Sequence, residues 1–377
     1  MKSRGVVLTV TFCLLISLFL GGSVLTRDRD FSQNENRSLQ TLPKLTLSRA
    51  ATGEFQSELT DYMSDQFFLR DRLIAMKAKL QKLSGKRDIG GVYLCQDGSY
   101  IEKITENDVD NAQFDKNVEI ISAFCEKYKA DFSKNKLHVM LVPTAGEIYS
   151  ELLPKGAAVF NQTERIKKAQ ERLLQSAQFI PLSNDLKKAK NSRLYYQTDH
   201  HWTEDGAAVA YKAYAKAAGI QANIPKDVQI ASKNFRGTLY SKVLDSSSPK
   251  DTVKLYRYNG DKNIELLVDG NPKSGGMYDM KKLKEKDQYA VFLGGNYPEA
   301  TLTGGLGKGR LLIIKDSYAN GFVPFIMQHY ESVTLIDPRY FTGSFKDIIK
   351  KENIEEILFL FNMENFVAEK SLSVVLG

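Results

Sequence analysis

The sequence predicts an α/β protein built on a doubly wound, mainly parallel sheet in three layers. Three observations lead there. LHVMLVP (137–143), RLLIIKDS (310–317) and EEILFLFN (355–362) contain short apolar runs, the pattern of strands buried on both faces. Amphipathic helical segments separate such runs. Over 310–362 the order is strand, helix, strand, helix, strand, which demands parallel strands joined by right-handed crossovers.

The N-terminus stands apart from this pattern. Lys2 and Arg4 precede an uncharged run, GVVLTVTFCLLISLFLGGSVL (5–25), and TRDRD follows it. A charged start before an apolar stretch marks export, and about 20 apolar residues span a bilayer. No A-x-A cleavage site is evident, which favours an uncleaved anchor over a removed signal. The basic start places this end in the cytoplasm and residues after 30 outside. Residues 1–30 are read as the signal or anchor, 31–54 as a polar linker, and 55–377 as the catalytic domain. The expected location is the cell membrane, through a single N-terminal span, or the exterior if the signal is removed.

The elements of the body follow in order. Phe55, Leu59, Met63, Phe67, Leu73, Leu80 and Leu83 have helical spacing, so 55–83 is one helix or a broken pair. GGVYLCQDGSYIEKI (90–104) reads as a hairpin turning at Gln96-Asp97-Gly98. Residues 107–130 are helical, 137–143 a strand, 162–178 a helix, and RLYYQ (193–197) a strand. The helix at 203–219 has Thr203 as its N-cap, Glu204 and Asp205 in its first turn, and Gly219 at its end. Residues 222–300, rich in turn pairs such as Asn259-Gly260 and Asp269-Gly270, read as a β-rich insertion or lid. It ends in the strand-like QYAVFLGGN (288–296).

Charge and cysteines narrow the function classes. Lys and Arg number 52 against 45 Asp and Glu, a net charge of +7 that suits an anionic setting such as a cell wall or membrane surface. The lysines are spread over helix faces, and no nucleic-acid recognition motif accompanies them, so no nucleic-acid partner is expected. Cys13 lies in the apolar run without the residue expected after a lipoprotein cysteine. Cys95 and Cys125 either pair or remain as two buried thiols, and their spacing fits no metal site.

The chemistry centres on YYQTDHHWTEDG (195–206). Two of the chain's four histidines stand there, between an aspartate and the sole tryptophan. Asp199 and His201, two apart, allow a carboxylate to orient an imidazole. Ser317 sits where a buried strand gives way to a helix, with amides of the first turn at hand for a developing negative charge. Acyl transfer needs such a set: a nucleophile, a base to take its proton, and an acid to hold the base's tautomer. An Asp-His-His run also offers zinc ligands, but no H-x-x-x-H or remote acidic cluster completes a site, so neither metal nor cofactor is expected.

Those residues carry a resemblance. Asp199-His200-His201-Trp202 is the motif after which the DHHW family of exported bacterial proteins is named, and that family is related to the SGNH-like alginate O-acetyltransferases. FSQNENRSLQTLPK, YMSDQFFLRDRLI, GGVYLCQDGSYIEK, LVPTAGEIYSELLP, FRGTLYSKV, QYAVFLGGNYP and KDSYANGFVPFI extend the likeness over nearly the whole ectodomain. The resemblance implies an SGNH (flavodoxin-like, three-layer) fold. It makes His201 the base, Asp199 its partner and His200 a supporting or structural residue. It also implies an Asp-x-His-Trp block upstream of the serine block, the reverse of ordinary SGNH hydrolases. One departure stands out: Lys315 precedes Asp316-Ser317 where the SGNH serine block begins with glycine.

Other candidates gather around this set. The Ser317 amide is the first oxyanion donor to consider, then Gly295 or Asn296 in the GGN turn, then Asn320. Arg339 and Tyr340, after the strand SVTLID (332–337), either bind substrate at the same sheet edge or cap loops. Trp202 either stacks on a sugar or packs in the core. The expected function is a serine-dependent O-acetyltransferase or carbohydrate acetylesterase of the cell envelope. The acetyl group and the polysaccharide come from the resemblance alone. A transferase would need a membrane protein to deliver the acyl donor. The alternative is an inactive relative that binds glycan or scaffolds an envelope complex.

Overall fold

The computed structural model describes residues 2–376; Met1 and Gly377, at the outer ends of the first and last expected segments, lie outside the described residues. The chain divides into two compact units. One comprises residues up to Ile89 with Ser241–Ser247, the other Gly90–Tyr240 with residues from Ser248 onward.

The first unit opens with the helix Lys2–Leu25, in which the 22-residue span Arg4–Leu25 is long and apolar enough to cross a membrane. The segment 55–83 is a broken pair, Glu54–Asp65 and Arg70–Leu83, with Leu69 between them in the left-handed region at φ 60°. Residues 31–54 are tied down rather than loose. Phe31–Ser32 pairs with Arg37–Ser38, and the Asp65 carboxylate accepts from the Arg37 guanidinium and the Gln40 amide, both at 2.9 Å. The Arg37 hydrogen bond outweighs burial and pulls the Asp65 carboxyl down to about 2.

The second unit holds an eight-stranded sheet. In chain order its strands are β1 (Leu137–Val142), β2 (Gln178–Phe179), β3 (Glu265–Val268), β4 (Asn271–Lys273), β5 (Glu299–Thr303), β6 (Arg310–Lys315), β7 (Ser332–Ile336) and β8 (Glu356–Asn362). Across the sheet they run β4-β3-β5-β7-β6-β8-β1-β2. The block from β7 to β2 is parallel, and β5, β3 and β4 extend it antiparallel. Alternation sorts the apolar side chains onto two faces: Leu311 and Ile313 join one core with Trp202, Tyr214 and Phe322. Leu312 and Ile314 join another with Phe114, Phe124 and Phe345. A sheet buried on both faces is the three-layer arrangement expected.

Three expectations need correction. RLYYQ adds no strand to the sheet. Tyr195 bridges Trp202 within one tight loop, where the Tyr196 amide donates to the His201 carbonyl and the Thr203 amide to that of Leu194. The place beside β1 goes to Gln178–Phe179, which begins at the last residue of the segment expected to be helical; the helix itself stops at Leu173. QYAVFLGGN is no strand either. Gln288–Val291 is a 3₁₀ turn, and Leu293, Gly294 and Gly295 follow with φ of 65°, 79° and 135°, incompatible with an extended ladder. The 222–300 segment is β-rich, but part of it builds the fold itself, since β3 and β4 extend the main sheet. Cys95 and Cys125 are buried, unpaired thiols, each pushed up to about 12 by burial.

Candidate active site

The parallel strands end at one edge, and two chain segments meet there. The first is the loop bearing Asp199, His200 and His201. Its backbone is pinned by Asp251, whose carboxylate accepts the amides of Gln197 (2.7 Å) and Thr198 (2.9 Å) and the Thr198 hydroxyl (2.6 Å). Thr203 ends the loop and caps the helix Glu204–Ala218, its hydroxyl accepting the Gly206 amide at 3.3 Å. Gly206 is obligatory, because a Cβ there would stand 2.3 Å from the Leu194 carbonyl oxygen.

The second segment is the turn from β6 into the helix Tyr318–Ile326. Asp316 organises it: one carboxylate oxygen accepts the Tyr318 amide at 2.9 Å. The other accepts the Asn362 amide and the Asn365 side chain, both at 2.8 Å. Burial pushes the Asp316 carboxyl up against these bonds. Asp316 is thus a structural fastener for the residue after it.

Ser317, His201 and Asp199 form one hydrogen-bonded chain. His201 Nε2 lies 2.8 Å from Ser317 Oγ, and His201 Nδ1 lies 2.6 Å from Asp199 Oδ1. An ionised carboxylate only accepts, so Nδ1 carries the proton and Nε2 faces the serine hydroxyl as acceptor. Asp199 is fixed by three further donors: the His201 amide (2.9 Å), the Thr238 amide (2.8 Å) and the Thr238 hydroxyl (3.1 Å). Burial raises its carboxyl, but the charges of His201 and His200, with these hydrogen bonds, hold it well below the usual carboxylate range.

The remaining expected residues fall into place around this chain. His200 donates through Nδ1 to the Thr238 hydroxyl at 2.8 Å, since that hydroxyl spends its one proton on Asp199. Burial, then the charge of His201, pushes the His200 imidazole down to about 4, so it is neutral at neutral pH. Asp199, His200 and His201 bring possible metal-ligand atoms within 4.8 Å of one another. However, the Asp199 and His201 atoms are already committed to the chain just described. Trp202 is fully buried and donates to the Tyr318 carbonyl at 3.0 Å, so it belongs to the core and presents no face to a sugar. Tyr318 in turn donates to the His200 carbonyl, locking the two segments together.

Of the expected oxyanion donors, the first-turn amides are mostly spent. Tyr318 donates to Asp316, Ala319 to the Asp316 carbonyl, and Asn320 to the Ser317 carbonyl. The Ser317 amide makes no hydrogen bond among the described residues. Asn296 and Asn320 meet here: Asn320 Nδ2 donates to Asn296 Oδ1 at 3.0 Å and to the Gly295 carbonyl at 3.4 Å. Arg339 stands at the same edge, but its guanidinium is held bidentately by Asp337 at 2.8 and 2.6 Å. Tyr340 beside it stays exposed.

Several supporting residues escaped the sequence reading. Tyr289 lies flat on the His201 ring, and its hydroxyl donates to the Ser317 carbonyl at 3.1 Å while accepting the Gly321 amide at 3.2 Å. Thr238 and Gly237 back Asp199, and Asp251 holds its loop. Thr238 and Gly237 sit in FRGTLYSKV and Tyr289 in QYAVFLGGNYP, blocks that carry the resemblance but no periodicity or spacing that singles these residues out.

Comparison with known proteins bears on the fold. Residues 100–246 match the sequence model of the SGNH hydrolase-like domain of acetyltransferase AlgX. No curated protein sequence matches. Among solved structures, a DHHW family protein from Eubacterium siraeum superposes with a TM-score of 0.63 at 22% identity, over 76% of this chain and 95% of that one. Bacillus cereus PatB1, solved with a sulfonyl adduct, gives a TM-score of 0.59 at 17% identity over 75% and 98% of the two chains. Residues 100–246 are therefore similar to an SGNH hydrolase-like domain, and the chain takes the fold seen in that DHHW family protein.

Proposed function

We propose that this protein is a serine-dependent acyltransferase or esterase that moves or removes acetyl groups on a carbohydrate of the cell envelope. The N-terminal helix would span the membrane and hold the enzyme on its outer side. The observation that carries this reading is the unbroken hydrogen-bonded chain Asp199–His201–Ser317, with distances of 2.6 and 2.8 Å. The matched family's description as an acetyltransferase supports acetyl as the acyl group. The carbohydrate rests on the resemblance alone.

The steps follow from the geometry. Ser317 Oγ attacks the acyl carbonyl as its proton passes to His201 Nε2, and Asp199 stabilises the imidazolium through Nδ1–H. The oxyanion is held by the Ser317 amide together with an amide from the Gly295–Asn296 turn. Collapse expels the donor's alkoxide or thiolate, which takes the proton from His201. An acceptor hydroxyl then gives its proton to His201 Nε2 and attacks the acyl-serine. Release of the acylated acceptor returns the proton to Ser317 Oγ. A sugar hydroxyl as acceptor makes the enzyme a transferase, water an esterase. As a transferase it would draw its acyl group from a partner membrane protein.

The test uses the full-length chain in detergent with a chromogenic acetyl ester and Ser317→Ala as control. Turnover in the wild type, with an acetyl adduct on Ser317 by mass spectrometry and neither in the variant, supports the reading. A folded wild type with no turnover and no adduct refutes it and favours a glycan-binding or scaffolding role.

A further inference from the structure

Lys315, the departure from the glycine of the SGNH serine block, ends β6 with its side chain inward; the residue is 2% exposed. Its ammonium finds two partners, Asn320 Oδ1 at 2.8 Å and Asn296 Oδ1 at 2.9 Å. An ammonium has three protons and no lone pair, so it can face only the oxygen end of a carboxamide. That rule settles both asparagine orientations. Asn320 turns its oxygen to Lys315, and its NH₂ goes to Asn296 Oδ1 and the Gly295 carbonyl. Asn296 Oδ1 receives two donors, Lys315 and Asn320, which fills its lone pairs. The NH₂ of Asn296, on an exposed residue, is left with both protons free among the described residues.

We infer that Lys315 is a positioning residue: by holding the side-chain oxygens of Asn296 and Asn320, it turns the Asn296 NH₂ outward as an oxyanion donor and uses up that of Asn320. This rests on the acyl-transfer reading given above. A residue at 315 with no donor would free the Asn320 carboxamide to flip, and with it the Asn296 carboxamide that Asn320 also holds, so either end of Asn296 could then face the oxyanion. The buried positive charge also sits behind the asparagine pair, where a developing negative charge is stabilised in a low-dielectric setting. The groups facing Lys315 fit a retained charge. Asp337 and Asp316 favour the ammonium, while burial and Arg339 oppose it.

The experiment is a double-mutant cycle on the full-length protein, with kcat and KM measured for a chromogenic acetyl ester. Asn296→Ala is expected to lower kcat about 100-fold, the usual effect of removing one oxyanion donor. Lys315→Met is expected to lower kcat about 10-fold or more with KM little changed. The combined variant should be no worse than Asn296→Ala alone, since Lys315 acts through Asn296. Undiminished kcat in folded Lys315→Met, or effects that multiply in the double variant, would overturn the inference. If Lys315→Met does not fold, Lys315→Leu, which also has no donor for the asparagine oxygens, enters the same cycle with the same criteria. A wild type that neither hydrolyses the ester nor acylates Ser317 would bring down the acyl-transfer reading itself. Loss of coupling in an active wild type brings down only the role of Lys315.

Discussion

The Tyr289 ring stacks on the His201 imidazole with centroids 3.8 Å apart and planes 12° from parallel. The contact closes one face of the imidazole and leaves it little freedom to rotate. In the proposed acyl transfer, where this ring would receive a proton from Ser317 and later return it, such confinement excludes misoriented rotamers in advance. Tyr289→Ala removes a buried aromatic and should cost about 3–5 kcal/mol of stability. In the protein that remains folded, kcat should fall about tenfold or more. Tyr289→Phe keeps the stack and loses the hydroxyl bonded to Ser317 and Gly321, a loss of about 1–3 kcal/mol. Its kcat should stay near wild type. Denaturant titration and ester hydrolysis of the pair separate the two contributions; equal kcat in both variants would refute the role of the stack.

Gly237 and Asp199 are in contact that no side chain could share. A Cβ on Gly237 would stand 2.1 Å from Asp199 Oδ2 and 2.3 Å from its Cβ. Asp199 is held by bonds to His201 and Thr238 and has no room to retreat. Gly237→Ala should therefore displace the carboxylate and cut kcat about 100-fold, since small misplacements of an orienting group are costly. Thr238→Val, which removes the hydroxyl linking Asp199 to His200 and keeps the backbone amide bond, should have a smaller effect. Ester hydrolysis ranks the two. Wild-type kcat in folded Gly237→Ala would show that Asp199 does not act as the orienting acid.

These residues also show where sequence reading stopped. Strands buried on both faces announced themselves, since RLLIIK or EILFLFN can be little else, and Ser317 was marked by the strand-to-helix change that follows. Asp199 and His201 were legible because two residues apart is close enough to see as a pair. The strand expected to lead into them is instead a hairpin loop, pinned by Asp251, that presents them to Ser317. Asp251, Thr238 and Tyr289 come from distant stretches with no periodicity of their own. A turn such as Leu293-Gly294-Gly295 reads as β from its apolar residues and fails only once its positive φ values are known. Lys315 stands out in the sequence only as a departure from glycine. Its purpose needs two asparagines, one of them 19 positions away in sequence, to meet in space.

Lys315 also sets two pH dependences in opposite directions. Burial, opposed by Asp337 and Asp316, lowers its ammonium to about 8 from its ordinary value. Below about 8 it is charged in both folded and unfolded chains, and the fold bears the full cost of burying it. As pH rises from about 8 toward the unfolded value, the folded protein releases the proton first, so stability relative to Lys315→Met should increase. Activity should move the other way, kcat falling above about pH 8 as the charge behind Asn296 is lost. Parallel unfolding and kinetic titrations of wild type and Lys315→Met test this. A stability difference that does not change with pH between 7 and 10 would contradict it.

Glu356 contributes to the acid side from the opposite end of the sheet. It begins β8, is buried, and its Oε1 accepts from His138 Nε2 (2.9 Å), Tyr214 (2.6 Å) and Tyr330 (3.0 Å), while Oε2 takes Lys136 (2.6 Å). Burial alone would raise its carboxyl, but the bonds from His138, Lys136 and Tyr214 win and bring it down to about 2. A depressed carboxyl contributes stability that is fully present above its unfolded pKa and is lost as pH falls through the folded value. The wild type should therefore lose stability between about pH 4.5 and 2, and Glu356→Gln should lack this component of the slope. At pH 7 the same variant should be less stable by about 1–3 kcal/mol, because His138, Tyr214 and Tyr330 lose a charged acceptor. Its ester hydrolysis should survive as long as it stays folded, since no atom of this cluster bonds to Ser317, His201 or Asp199. Chemical denaturation across pH 2–7 gives the slope, and one in Glu356→Gln as steep as that of the wild type would assign acid lability to other carboxylates.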